Sequence, residues 1–331
     1  MKRFLLFFIL AFVFSFYAFS FDKACSFLRD GIGSKEVAIG GANTASTEGV
    51  NSIYWNPAGL QNSDAFSFKL GSMYSIETED RHHAFLGISI RTDEYGSFGA
   101  GLINYGIANI DLFDETGFSK GLASDSEYIL AFSYANKINY QIKYGTTVKA
   151  HYHDLVGYKG LGYSFDFGII FQPVLDKELY FGLMLQNIFG EIFWDNAKDD
   201  ILSIYKIGMS VSLFEEIVKF NFDIIKEENN ESILTKGGVE FKIIQYFFLR
   251  AGLDEKYPTL GLGIKYEPYQ IDYAYVYNKY DLGDIHQISF IPAILICEKI
   301  SCISSILKRL FLLLFTNIFI LLSGILILIN S

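Results

Sequence analysis

Between about residue 65 and residue 291 the sequence alternates with a period of two, and it does so in fourteen separate segments. That is the period of a β-strand, whose successive side chains point to opposite faces. Tyr140 to His153 is the clearest case. Tyr140, Ile142, Tyr144, Thr146, Val148, Ala150 and Tyr152 fall on one face, and Gln141, Lys143, Gly145, Thr147, Lys149, His151 and His153 on the other. The segments run approximately over 65–75, 82–91, 97–105, 127–136, 139–152, 160–172, 178–189, 203–213, 217–226, 232–243, 246–254, 259–266, 270–277 and 284–291. Several reach the roughly 9–11 residues that a tilted strand needs to cross a bilayer. In most, one face is large and apolar while the other carries Gly, Ser and scattered charge.

A soluble sandwich would turn the apolar faces inward, whereas a membrane barrel turns them toward lipid. Three features favour the barrel. The apolar faces are rich in aromatic residues, and the chain holds 22 Tyr and 32 Phe. The segment count is even. The connections alternate, about 4 to 21 residues after odd segments and about 2 to 5 after even ones, as in barrels with long outer loops and short periplasmic turns. The expected fold is therefore all-β, a 14-stranded antiparallel transmembrane β-barrel over residues 65–291. Its longest external connection would be Gly106–Ser126, and the next Gly190–Leu202, which carries Trp194. A net charge of −10 argues against a nucleic-acid partner, because phosphate neutralisation needs basic patches. Outer-membrane lipid is the partner such a surface requires.

The ends of the chain read differently. Residues 1–20 have the form of a secretory signal: Lys2 and Arg3, an apolar stretch from Phe4 to Phe19, then Ala18-Phe19-Ser20 as a cleavage context. Cleavage would deliver the barrel to the outer membrane of a diderm bacterium. Residues 292–331 form an anomalous tail, in which Leu310–Ile329 is long and apolar enough for a C-terminal hydrophobic helix. Pro292 is expected to stop the closing strand before it. Three readings of the tail stay open: a frameshift artefact, an inner-membrane tether, and a helix packed on the barrel.

Residues 21–64 are not strand-like. Gly31–Leu60 reads GIGSKEVAIGGANTASTEGVNSIYWNPAGL, a small-residue segment suited either to a linker or to a plug threaded through a crowded lumen. Gly40-Gly41-Ala42 followed by Asn56-Pro57-Ala58-Gly59-Leu60 resembles the N-terminal signature of the FadL-type outer-membrane transporters and their PorV-like relatives. Leu249 to Phe290 resembles the end of the barrel in the PorV-like branch. The resemblance implies an N-terminal lumenal hatch whose motif is Gly40, Gly41, Ala42, Asn56, Pro57, Ala58 and Gly59. FadL-type members pass hydrophobic compounds toward a lateral opening in the wall, and PorV-like members serve secretion and surface attachment. Hydrophobic small molecules or a secretion-system component are thus the implied partners. Long helical external insertions like those of the fatty-acid transporter itself are lacking here.

On the polar faces, Lys143, Lys149, Asp166, Lys206, Arg250, Lys265 and Asp272 are expected to line the lumen. A two-residue turn at Pro268-Tyr269 would pair Lys265 with Asp272. No nucleophile elbow, P-loop, H-E-x-x-H or C-x-x-C occurs. Neither catalysis nor a cofactor nor a metal is expected, and His151-x-His153 reads as a polar lumenal pair. Cys25, Cys297 and Cys302 make no disulfide framework.

Overall fold

The computed structural model describes residues 29–62, 67–78, 80–92, 95–175, 177–228, 230, 232–277 and 283–295. The signal segment, the three cysteines and Leu310–Ile329 lie outside the described residues. Within them no helix is long and apolar enough to cross a membrane.

The alternating segments become β1 (Ser67–Glu77), β2 (Arg81–Thr92), β3 (Gly96–Phe113), β4 (Ser119–Lys137), β5 (Ile142–Leu155), β6 (Tyr158–Phe171), β7 (Leu179–Phe193), β8 (Lys198–Asp200), β9 (Ile204–Leu213), β10 (Val218–Glu227), β11 (Ile233–Ile244), β12 (Phe247–Asp254), β13 (Tyr257–Tyr266), β14 (Tyr269–Val276) and β15 (Ile285–Leu295). Every pairing is antiparallel between neighbours, and β1 closes on β15 from Glu77↔Ile285 to Ser67↔Leu295. The three-residue β8 pairs only with the tip of β7, at Glu191–Phe193. The barrel itself is therefore closed by fourteen strands.

Alternation dictates which way each side chain points. On β5, Val148 is 49% exposed on the outer face while its neighbour Lys149 is 1% exposed in the lumen. Leu86, Phe98, Leu102, Leu130, Phe132, Phe222 and Leu262 likewise stand outward and uncovered. An apolar surface of this extent is costly in water at about 25 cal/mol per Å² and is stable only against lipid or another apolar phase.

Three sequence expectations change. Gly106–Ser126 is not a free loop. β3 and β4, at 18 and 19 residues, continue through it and leave a short turn at Asp114–Phe118. The β3–β4 register slips between Ile107 and Ile110, where Asn109 takes φ 55°, so the apolar positions change parity while pairing persists. Gly190–Leu202 is likewise drawn into β7 and β8. Pro292 does not end the last strand, which runs to Leu295. Pro292 pairs with Tyr269 on the β14 side, and on the β1 side the register skips from Lys69↔Ala293 to Ser72↔Phe290. The missing N–H thus falls at a break in the ladder, where a proline is tolerated.

Residues 29–62 lie within the barrel. They form short helices at Ser34–Ala38 and Ser52–Trp55 and 3-10 turns at Gly49–Asn51 and Pro57–Asn62, and most of their side chains are buried.

Candidate functional site: the lumen and its plug

The polar faces of the strands converge on the N-terminal segment, and wall glycines set how closely it can approach. A Cβ built on Gly145 of β5 would stand 2.5 Å from the Pro57 carbonyl carbon. One on Gly99 would meet Ile53 at 2.8 Å, and one on Gly87 would meet Val50 at the same distance. Gly168, Gly182 and Gly252 leave similar room for Asn56, Thr44 and Ile39. These contacts come from β2, β3, β5, β6, β7 and β12, so the segment is held around much of the circumference.

The motif residues have distinct places. Gly40 adopts φ +71°, and its N–H donates to the Thr259 hydroxyl at 3.1 Å, flush against the β11 and β12 backbones. Gly41 and Ala42 follow in a turn beside Trp55 and Lys236. The Asn56 side chain accepts from the Ala58 N–H at 3.1 Å, and its Nδ2 donates to the Thr44 carbonyl at 2.7 Å. The same Nδ2 lies 3.3 Å from the carbonyls of Ile169 on β6 and Leu183 on β7. Pro57, Ala58 and Gly59 are buried behind it. Trp55 donates from Nε1 to the Ile32 carbonyl at 2.8 Å, which folds the segment back on itself.

The lumenal charges pair selectively. Lys149 and Asp166 form a fully buried ion pair at 2.7 Å, and Lys149 also donates to Asn187 Oδ1 at 2.8 Å. The Asn187 N–H in turn donates to Asp166 Oδ1 at 2.8 Å. Lys206 lies over the rings of Tyr54 and Trp55, 5.6 and 5.4 Å from their centroids, a cation–π grip on the segment. Lys143 donates to Asn62 Oδ1 at 2.6 Å. Arg250 bridges Glu240 at 2.5 Å and Asp272 at 2.7 Å. Within the plug, burial pushes the Glu36 carboxyl up to about 7, opposed by the neighbouring Lys35. Lys35 holds Glu48 well below the usual carboxylate range through their 2.8 Å ion pair.

Lys265 and Asp272 do not pair. The reversal falls one residue earlier than expected, at Glu267-Pro268, so Lys265 opposes Gln270 and Asp272 opposes Gly263. Both still face the lumen, because the shift moves the register by two and preserves parity. Lys265 instead meets Glu267 at 3.2 Å in an exposed position.

Two inward-facing residues escaped sequence reasoning. Asp223 on β10 binds Thr44, and its place on the same inward face as Asn221 and Glu227 was the available signal. Asn187 sits where Gln186 and Asn187 are both buried in succession, which breaks the alternation. There the β6–β7 register slips between Tyr163 and Phe167, and Asn187 and Phe189 take φ of 57° and 54°.

Between the plug and the turns that follow β2, β4, β6, β9, β11 and β13 lies a cavity of about 1090 Å³. Lys35, Glu48, Lys143, Glu178, Lys219 and Glu240 are among its lining residues, so it is a charged vestibule and not an apolar pocket.

The fold and site define a closed fourteen-stranded barrel, apolar outside, whose lumen is filled by the chain's own N-terminal segment. No family model matches the sequence, and no curated protein matches it significantly. Solved structures do share the fold. The toluene transporter TodX of P. putida superposes with a TM-score of 0.57 at 13% identity, over 80% of this chain and 98% of that one. The Ralstonia pickettii toluene transporter TbuX gives 0.56 at 13% identity, over 81% and 98%. A Pseudomonas aeruginosa FadL homologue gives 0.53 at 10% identity, over 84% and 100%. At such identities the likeness is one of fold.

Proposed function

We propose that this protein is an outer-membrane barrel for passive passage of hydrophobic or amphipathic small molecules, with residues 31–60 acting as a hatch. The observation that carries the reading is the position of the plug against the β6–β7 wall, with Gln186 at its irregular stretch and Asn56 at the regular Ile169↔Leu183 pair beside it. Asn56 Nδ2 reaches the carbonyls of both strands, and Gln186 Nε2 donates to the Tyr54 carbonyl at 3.3 Å. Outside the same seam stand Tyr163, Phe165, Phe189 and Phe193, all exposed. Slipped register weakens a wall locally by leaving ladder positions unpaired. A solute released by the plug at this level would leave sideways into lipid without crossing the charged vestibule. The apolar exterior supports the membrane location, and the shared fold with proteins titled toluene transporters supports the substrate class.

The test is uptake into proteoliposomes. The purified barrel should accelerate entry of a monoaromatic hydrocarbon or a long-chain fatty acid over protein-free liposomes, and leave a sugar of similar size excluded. No acceleration for any apolar solute would contradict transport, and would favour the docking platform of the PorV-like resemblance. Equal acceleration of the sugar would contradict selectivity.

A further inference from the structure

Away from the plug, on the opposite side of it from the vestibule, Glu127 and His153 are directly opposed on β4 and β5 with both side chains inward. Asp125 is two residues before Glu127 on the same face, and so diagonal to His153. His153 Nε2 lies 2.6 Å from Asp125 Oδ1 and 3.6 Å from Glu127 Oε1. One ligand atom from each of the three residues can be chosen so that all lie within 4.8 Å of one another. The side chains of His153, Asp125 and Glu127 are 10%, 17% and 10% exposed.

We propose that Asp125, Glu127 and His153 form a binding site for a divalent transition-metal ion of the zinc type. Two arguments converge. Bonds of about 2.0–2.2 Å to nitrogen and oxygen place ligand atoms of a tetrahedral ion roughly 3.3 Å apart, and the two observed separations bracket that value. Parting Asp125 from His153 by about 0.7 Å and drawing Glu127 in by about 0.3 Å would seat the ion. Finally, the imidazole selects zinc, cobalt, nickel or copper over magnesium and calcium, which prefer all-oxygen sites.

The surroundings suit a rigid site. The donors come from two adjacent strands of the wall, and His153 is opposed on β6 by Gly160, which adds no bulk. The Trp194 ring lies beside the imidazole, 5.1 Å between centroids, and is held by its Nε1 donating to Asp199 at 2.8 Å. Three protein ligands leave one position for water or an anionic solute. His151, two residues earlier on the same face, is not a ligand; its Nε2 is hydrogen-bonded with the Ser164 hydroxyl at 2.8 Å. His151 and His153 share the lumenal face of β5 but face different partners, His151 opposite Gly162 and His153 opposite Gly160 and Glu127.

The experiment uses the full barrel in detergent, stripped with EDTA and titrated with Zn²⁺ by calorimetry. Co²⁺ quenching of tryptophan emission reports proximity to Trp194. One saturable Zn²⁺ per chain is expected, unaffected by excess Mg²⁺. His153→Ala and Glu127→Gln should each weaken binding at least tenfold and abolish the cobalt quenching, while His151→Ala binds as the parent does. Each variant is first checked for the shifted mobility of an unheated folded barrel, with Asp125→Asn replacing one that fails. Absence of saturable binding in the parent would overturn the site and leave a proton-sharing cluster. Parent-like affinity in the folded ligand variants would overturn it equally.

Discussion

The backbone N–H and the hydroxyl of Thr44 both donate to the same carboxylate oxygen of Asp223, at 3.0 and 2.7 Å. One residue of the plug is thereby fastened twice to one residue of the wall, in a buried setting. Hydrogen bonds to a charged group contribute about 1.5–3 kcal/mol each.

Asp223→Ala should loosen the plug without opening the wall. Losing both bonds, at about 1.5–3 kcal/mol each, corresponds to roughly hundred- to ten-thousandfold faster amide exchange through local opening. Hydrogen–deuterium exchange over residues 42–47 should rise by that factor while β3 and β4 keep their protection. Uniform exchange in parent and variant would show that this contact does not hold the plug.

The wall glycines make a steric prediction. Gly145→Val places branched carbons where the Pro57 carbonyl stands, against backbone that has little room to yield. The plug should be displaced, with protease cleavage appearing within residues 31–60 of the assembled barrel. Gly237→Val, on β11 with nothing nearer than 3.6 Å to its Cβ position, is the control for spatial crowding. Resistance to protease in Gly145→Val would refute the close approach.

Glu36 makes the seating of the plug depend on pH. Its carboxyl is raised to about 7 by burial, so the seated plug retains a proton that an unseated one releases near 4.5. Seating is therefore strongest below the ordinary carboxylate value and weakens as pH rises through about 7. Protease access to the plug should increase between pH 5 and pH 8, and Glu36→Gln should flatten that profile. An unchanged profile in the variant would assign the effect elsewhere.

Much of this was legible because alternation is a property of the strand itself. The inward positions of Lys149, Asp166 and Lys206 follow from parity alone, and parity survived even where register did not, as at Lys265. Register was harder, since moving a reversal by one residue, from Pro268-Tyr269 to Glu267-Pro268, changes every partner beyond it. The extents of β3 and β4 were hidden because a slip between Ile107 and Ile110 switches the parity of their tips. The small residues of Gly31–Leu60 suggested a crowded lumen, but which wall glycine meets Thr44 or Asn56 depends on how the whole circumference closes.

The central claim is that residues 31–60 close the lumen, and conductance tests it most directly. In planar bilayers the full barrel should remain closed to small ions, and deletion of Ser34–Ser52 should produce stable open channels. The deleted barrel must still show the heat-modifiable mobility of a folded one. Channels of equal conductance with and without those residues would contradict the account.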